Sequence, residues 1–181
     1  MPRLALLLLA AAACSSNDNM VVSDLAILEN VSSTIHGVAF MRDQNGNPVG
    51  DQLAVIIMSD QPNLCDTLTA HRDYFRNAPG VNQALIMTVP LARLGTFEVD
   101  RPGDEGTAAE VLAATGPATT VPFHALGTSL ISVTDWPDGP GNAVGSFYLI
   151  TDDPDTATIQ HQFQGRFKTN QCATLDGTLL P

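Results

Sequence analysis

The chain has 181 residues, a length that suits one domain with a sizeable core. It carries 19 acidic residues against eight lysines and arginines, so its net charge is −11. Such an acidic surface argues against nucleic-acid binding and against direct docking on anionic lipid.

The N-terminus has the form of an export signal. Arg3 is followed by ten apolar residues, 4–13, which are too few to cross a bilayer but suit a secretory signal. Because Cys14 directly follows three alanines, the segment resembles the lipobox of bacterial lipoproteins, with Ala11 where leucine is usual. The resemblance implies cleavage before Cys14 and lipid on its thiol. An ordinary secretory signal cut near residue 13 is the alternative.

The segment after Cys14 is small and polar. Residues 14–23 are therefore predicted to be a lipidated cysteine and a flexible tether, followed by a single domain over 24–181. In lipoprotein sorting, Ser15 resembles the signal for the outer membrane. The predicted location is the bacterial cell envelope, with the outer membrane favoured over the inner. Loss of Arg3 leaves seven basic against 19 acidic residues, a net charge of −12.

The mature chain reads as short apolar runs separated by Gly, Pro, Asn and Asp clusters, a pattern typical of an antiparallel β-sandwich or barrel. Strands are predicted at 34–41 and 52–59. In the second of these, Leu53, Val55 and Ile57 alternate with Ala54, Ile56 and Met58, so both faces are expected to be buried.

The loop between these two strands contains a weak calcium motif. Oxygen-bearing side chains recur at alternate positions, as calcium loops require; they belong to Asp43, Asn45, Asn47 and Asp51. Pro48 and Ala54 occupy the positions where an EF-hand needs Gly and Glu. The Asn45-Gly46 pair favours a plain hairpin loop, and no metal or cofactor is predicted.

One short helix is predicted at about 63–76, where Leu64, Leu68, His71 and Phe75 share a stripe. Cys65 lies in its first turn. If Cys14 is lipidated, Cys65 and Cys172 are the remaining pair in an exported domain. We therefore predict a disulfide between them.

Further strands are predicted near 81–89, 95–100 and 128–136, with one or two short strands within 107–126. Trp136 ends one of these strands, and a core position is favoured over an exposed one that binds sugar or a partner. The four histidines show no metal or catalytic spacing, and no Gly-x-Ser-x-Gly elbow occurs.

The last predicted hairpin pairs 143–151 with 156–169. In the second strand, one face carries Ala157, Ile159, His161, Phe163, Gly165 and Phe167. The other is polar and carries Thr158, Gln160, Gln162, Gln164, Arg166 and Lys168. His161 is expected to be a satisfied core histidine. Gly145-Ser146-Phe147 and Gly165-Arg166-Phe167 are read as hairpin symmetry. This closing hairpin resembles the ends of uncharacterised β-rich bacterial lipoproteins, which implies a fold type and no activity.

The function expected from these features is a lipid-anchored, non-catalytic binding or structural module of the envelope. An envelope protein or a glycan would bind the polar face at Gln160, Gln162, Gln164, Arg166 and Lys168, unless that face is simply solvated. Two alternatives remain open. One is a carrier of small apolar ligands with a cavity between sheets, and the other is an envelope hydrolase.

Overall fold

A computed structural model describes residues 18–25, 27–42, 44–45, 47–71, 83–91, 94–116, 119–156 and 158–180. The fold is mainly β, with one α-helix in the described part of the chain. Its strands are β1 Met20–Ser23, β2 Ser33–Arg42, β3 Pro48–Ser59, β4 Ala84–Pro90, β5 Gly95–Glu98, β6 Ala108–Gly116, β7 Thr119–His124, β8 Leu130–Asp135, β9 Asn142–Asp152, β10 Gln160–Gln171 and β11 Thr178–Leu180. Helix α1 spans Leu64–Ala70, and a 3-10 helix spans Ala173–Leu175.

The strands form one curled sheet in the order β5-β8-β9-β10-β2-β3-β4-β6-β7. Most neighbours are antiparallel, whereas β10 and β11 run parallel to β2. The sheet does not close into a complete barrel. A single bridge from Ala125, just after β7, to Thr151 in β9 places the end of β7 next to β9. The architecture is thus a barrel-like sheet with a gap, as the predicted β-rich class allows.

The inside of the curled sheet holds the main core. Alternate residues of the strands point inward, because successive side chains of a strand face opposite sides. Phe97, Phe163 and Phe167 are among the largest fully buried side chains. The inward residues of β3 are Ala54, Ile56 and Met58, all fully buried in this cluster.

A second, smaller core covers the outside of β2, β3 and β4. Val55 and Ile57 of β3 point into it, where they meet Leu64 and Leu68 of α1 and Leu175 of the 3-10 helix. The prediction that both faces of the strand at 52–59 are buried is therefore confirmed from Leu53 to Ser59, whereas residues 48–52 of β3 are exposed. Gly37 of β2 leaves room for this layer, since a Cβ there would lie 2.3 Å from the Cβ of Leu175.

The repeated Gly-x-Phe motif forms a reciprocal contact in the β9–β10 hairpin. Gly145 pairs with Phe167, and Gly165 pairs with Phe147. Each ring lies over the partner glycine: a Cβ on Gly165 would be 2.7 Å from Phe147 Cζ and 2.0 Å from the carbonyl oxygen of Met20. Glycine at these positions lets the rings and the neighbouring strands approach closely. The interpretation as hairpin symmetry is confirmed.

Three boundaries differ from the sequence predictions. The predicted tether, 14–23, overlaps β1, since Met20–Ser23 pair with Phe163–Arg166 of β10 and belong to the sheet. The helix ends at Ala70, because His71 has a non-helical backbone and is exposed; Phe75 lies outside the described residues. Ile159 precedes β10 and is 49% exposed, so it is not on the buried face. Residues 107–126 contain two strands, β6 and β7.

Candidate binding surfaces

The predicted disulfide is present and fixes α1 against the sheet. Cys65 and Cys172 are bonded, and their Cα atoms are 5.6 Å apart, within the range that a disulfide spans. Cys172 directly follows β10 and is fully buried. The bond therefore joins the short helix to the end of the last long strand.

The solvent side of β1, β10, β9 and β8, here called the outer face, carries mostly uncharged side chains. One row across it is set by strand register: Val22 pairs with Gln164, Gln164 with Tyr148, and Tyr148 with Leu130. Directly opposed side chains in such rows contact each other. Val22, Tyr148 and Leu130 are exposed by 47%, 36% and 40%, and Met20 lies in the next row, opposite Arg166.

The five predicted contact residues of β10 all belong to this face and are exposed: Gln160, Gln162, Gln164, Arg166 and Lys168. Within the described residues, no carboxylate lies within ion-pair distance of Arg166. Lys168 Nζ instead contacts Asp18 Oδ2 at 3.0 Å, and its backbone N–H donates to Asn19 Oδ1 at 2.7 Å. Arg166 is therefore the cation that this face offers to a partner.

Sequence reasoning missed the neighbours of β10 on this face. Tyr148 and Leu130 join the surface only through pairing with β9 and β8. The alternation of Phe147 and Leu149 against Ser146 and Tyr148 in the predicted strand 143–151 was the signal that could have identified Tyr148 as outward-facing.

A polar cleft lies at the end of the outer face, beside α1. It consists of two adjoining open clefts of about 410 Å³ and 390 Å³ that share Asn19, Ser32 and Asn170. The walls come from the start of β1, the start of β2, the first turn of α1 and the end of β10. Its other polar lining residues are Asp18, Ser33, Thr34, Asn63, Asp66, Asn142, Lys168 and Gln171. None of these except Lys168 was singled out from the sequence.

His161 is buried on the inner side of β10 and hydrogen-bonded at both ring nitrogens. Nδ1 lies 3.1 Å from Asp24 Oδ2, and Nε2 lies 3.2 Å from Asp153 Oδ2. The imidazole thereby ties the segment after β1 to the β9–β10 turn, as a satisfied core histidine would. The hydrogen bond from His161 is the main cause that lowers the pKa of Asp153 below its ordinary value.

His36 and Trp136 pack together inside the sheet. Their rings meet edge-on with centroids 4.8 Å apart, and Trp136 is half-buried against the main core, so the core position is the one observed. His36 Nδ1 lies 2.7 Å from the Thr169 hydroxyl. Burial lowers the pKa of His36, and the charge of Asp176 partly opposes this shift. His124, like His71, is exposed.

The described residues of the weak calcium motif lie in the β2–β3 turn and in β3. Asp51 lies within β3 and is exposed, and Asp43 is outside the described residues. Asn45 and Asn47 are exposed in the β2–β3 turn. Throughout the described ranges, no group of three or more His, Cys, Asp and Glu side chains could hold a metal ion.

Cys14 and the predicted signal lie before the described residues. Of the part that the structure covers, no helix has the length and apolarity needed to cross a bilayer. The chain matches no protein-family model, no curated protein and no solved structure.

Proposed function

We propose that this protein is a lipid-anchored module of the bacterial cell envelope, without catalytic activity, that binds a protein partner through the outer face. The observation that carries the proposal is the exposed row Val22–Gln164–Tyr148–Leu130, with Met20 and Arg166 in the next row. The anchor part of the proposal depends on the lipobox resemblance at Cys14, with the outer membrane as the favoured location.

The chemistry of the outer face is that of a protein contact surface. Aromatic side chains, methionine and arginine are enriched in protein interfaces, and the outer face exposes Tyr148, Met20 and Arg166. Arg166 favours a partner with an acidic group opposite it. The glutamines of β10 lie between the apolar side chains of β1 and those of β9 and β8, where they can supply hydrogen bonds.

The two alternatives have less support. A carrier would need an enclosed apolar cavity, whereas the inside of the sheet is packed with buried side chains such as Phe97, Phe163 and Phe167. A hydrolase would need a histidine with a free nitrogen beside a nucleophile. Both nitrogens of His161 contact carboxylates. His36 Nδ1 contacts the Thr169 hydroxyl, but both residues are buried.

The anchor is tested on the native protein. Mass spectrometry of the mature N-terminus should find acylated Cys14, and Cys14→Ser should release the protein from the membrane fraction. An unmodified N-terminus, or unchanged fractionation of the variant, would contradict the anchor and leave the outer face to be tested separately.

The contact surface is tested by a photo-crosslinking amino acid placed at Tyr148 in the envelope. We expect one discrete protein adduct, which Arg166→Glu abolishes. The control is the same crosslinker at Val49 of β3, which is 41% exposed but lies off the outer face and should give no such adduct. No adduct at Tyr148, or the same adduct at Val49, would contradict the contact surface, and an adduct that survives Arg166→Glu would contradict the role of Arg166.

Lys168 needs a different design, because Lys168→Glu would place a second carboxylate beside Asp18. The exchange Asp18→Lys with Lys168→Asp keeps the ion pair and reverses its direction. If the melting temperature and the adduct are both unchanged, the role of Lys168 is to hold β1 through its ion pair with Asp18, and Arg166 makes the contact with the partner.

A further inference from the structure

Strand β1 is held in the sheet in a single register. Just before β1, Asn19 Oδ1 accepts the backbone N–H of Lys168 at 2.7 Å. Just after it, Asp24 Oδ1 accepts the backbone N–H of Gln162 at 3.2 Å. Val21, between them, is buried in the main core, and a slip by one residue would turn its side chain outward. The chain is therefore fixed to the sheet from Asn19 onward.

The link between this strand and the proposed anchor is short. Asp18 is also tied to β10, because its Oδ2 lies 3.0 Å from Lys168 Nζ. Residues 15–17 alone separate Asp18 from Cys14. Four steps of fully extended chain span at most about 14 Å. With lipid on Cys14, this end of the sheet therefore lies within about 14 Å of the lipid headgroups.

The end of the sheet that is held near the bilayer is the one where β1 and β9 begin and β10 ends. Asn19, Asn142 and Asn170 line a cleft there. The β9–β10 turn lies at the other end of β10, roughly 30 Å away. The strands of the outer face therefore lead away from the membrane, and the row with Met20 and Arg166 is nearer to it than the row with Tyr148.

The membrane-facing end is not suited to bind anionic lipid itself. Asp66, Asp135 and Asp138 are exposed on the loops and the helix at this end, and Lys168 is paired with Asp18. Anionic headgroups repel such a surface. The outer face thus stays free beside the bilayer and is not laid on it.

Arg166 sets the height at which a partner has to offer its acidic group. Its Cα lies opposite Met20, across an antiparallel pair of about 5 Å. Because Met20 follows Asp18 by two residues, the Cα of Arg166 lies within about 25 Å of the headgroups. Binding to a soluble partner does not require such a limit. A membrane-embedded protein has its polar surface at this height.

We propose that the partner of the outer face is a protein embedded in the same membrane, with an acidic group opposite Arg166 and within about 25 Å of the bilayer surface. This inference rests on the outer-face contact and the lipid anchor proposed above. Two membrane-bound surfaces are confined to one thin layer, and a short link raises the effective concentration of each for the other.

The orientation is tested on the native lipidated chain, isotope-labelled, in nanodiscs of phosphatidylethanolamine and phosphatidylglycerol that carry a nitroxide headgroup lipid. We expect the amide signals of Asn142 and Asn170 to broaden more than those of the β9–β10 turn. The matched control carries about 20 glycine and serine residues inserted after Ser16, which should remove this difference. Equal broadening at both ends of the unaltered chain, or the same difference in the control, would overturn the proposal.

The class of partner is tested in cells with the photo-crosslinking amino acid at Tyr148. The chain carries the same insertion, to which a site for a sequence-specific protease is added, so that cleavage frees the domain from its lipid after crosslinking. We expect the adduct to remain in membranes washed with alkaline carbonate, while the uncrosslinked domain is released. The adduct yield should also fall severalfold relative to the unaltered tether, because a longer link lowers the effective concentration.

The outcomes separate this proposal from the one on which it rests. An adduct that leaves the membrane with the cleaved domain, or a yield that the insertion does not change, overturns the membrane-embedded partner and leaves the outer-face contact standing. If the unaltered tether gives no adduct at all, the outer-face contact is itself contradicted, and this proposal with it. Melting curves of the unaltered and inserted chains establish that both are folded.

Discussion

The two halves of the sheet differ in what covers their outer surface. Over β2 and β3, a small second core lies between the sheet and α1, closed by the Cys65–Cys172 bond. Over β8, β9 and β10, no helix or strand of the described residues covers the sheet, and Tyr148 and Leu130 are exposed. One half therefore has a covering layer on its outside, and the other leaves its outer face exposed to solvent.

The two halves meet at a narrow seam. The parallel pairing of β10 with β2 involves only Asn170 with Ile35 and Gln171 with His36. The Thr169–His36 hydrogen bond and the backbone bond from Cys172 N–H to the carbonyl oxygen of His36, at 2.8 Å, extend this contact. Cys172 also forms the disulfide to Cys65 in α1. We therefore expect the stability of the half covered by α1 to depend on this bond more than the stability of the open half does.

Removing the disulfide should have the largest effect. Cys65→Ser with Cys172→Ser releases a loop with a sequence separation of 107, for which the chain-entropy model predicts a loss of about 4–5 kcal/mol. Urea unfolding of the double variant measures it. A loss below about 1 kcal/mol would mean that the second core holds α1 without the bond.

A matched pair of leucines compares the halves directly. Leu64→Ala in the second core should reduce the free energy of unfolding by about 3 kcal/mol, because Leu64 is 1% exposed and its loss leaves a cavity. Leu130→Ala on the outer face, where the side chain is 40% exposed, should change it by no more than about 0.5 kcal/mol. A similar loss of unfolding free energy in both variants would contradict the division into a covered half and an open half.

The smallest effect concerns pH at the seam. Burial lowers the pKa of His36 below its ordinary value of 6.5, so on acidification the unfolded chain takes up a proton that the folded chain does not. The stability from neutral His36 is present above pH 6.5 and is lost as the pH falls below it, by at most about 1.4 kcal/mol per pH unit.

Unfolding free energies at pH 7.5 and 5.5, for the unaltered chain and for His36→Gln, measure this loss. This range lies above the one in which Asp153 matters, since its lowered pKa removes stability only at more acidic pH. If the free energy of unfolding changes equally with pH in both proteins, His36 does not make the stability of the seam depend on pH.

The local sequence pattern was enough to predict much of the fold. Alternation in 52–59 predicted a strand buried on both faces, because side chains of a strand point to opposite sides whatever the fold. The alternating runs 143–151 and 156–169 predicted the last hairpin, and the pair of remaining cysteines predicted the disulfide. The polar residues of β10 were correctly placed on an exposed face by the same two-residue period.

Only the tertiary structure decided the rest, since it depends on contacts between residues far apart in the chain. Met20–Ser23 were assigned to the tether because they follow the polar residues 15–19, yet they pair with β10 at Phe163–Arg166. Tyr148 and Leu130 join Gln164 through strand register, and Asn19, Asn63 and Asn170 meet because the disulfide brings α1 to the end of β10. Amides without a common spacing carry no local signal, so no reading of the sequence could have gathered them into one cleft.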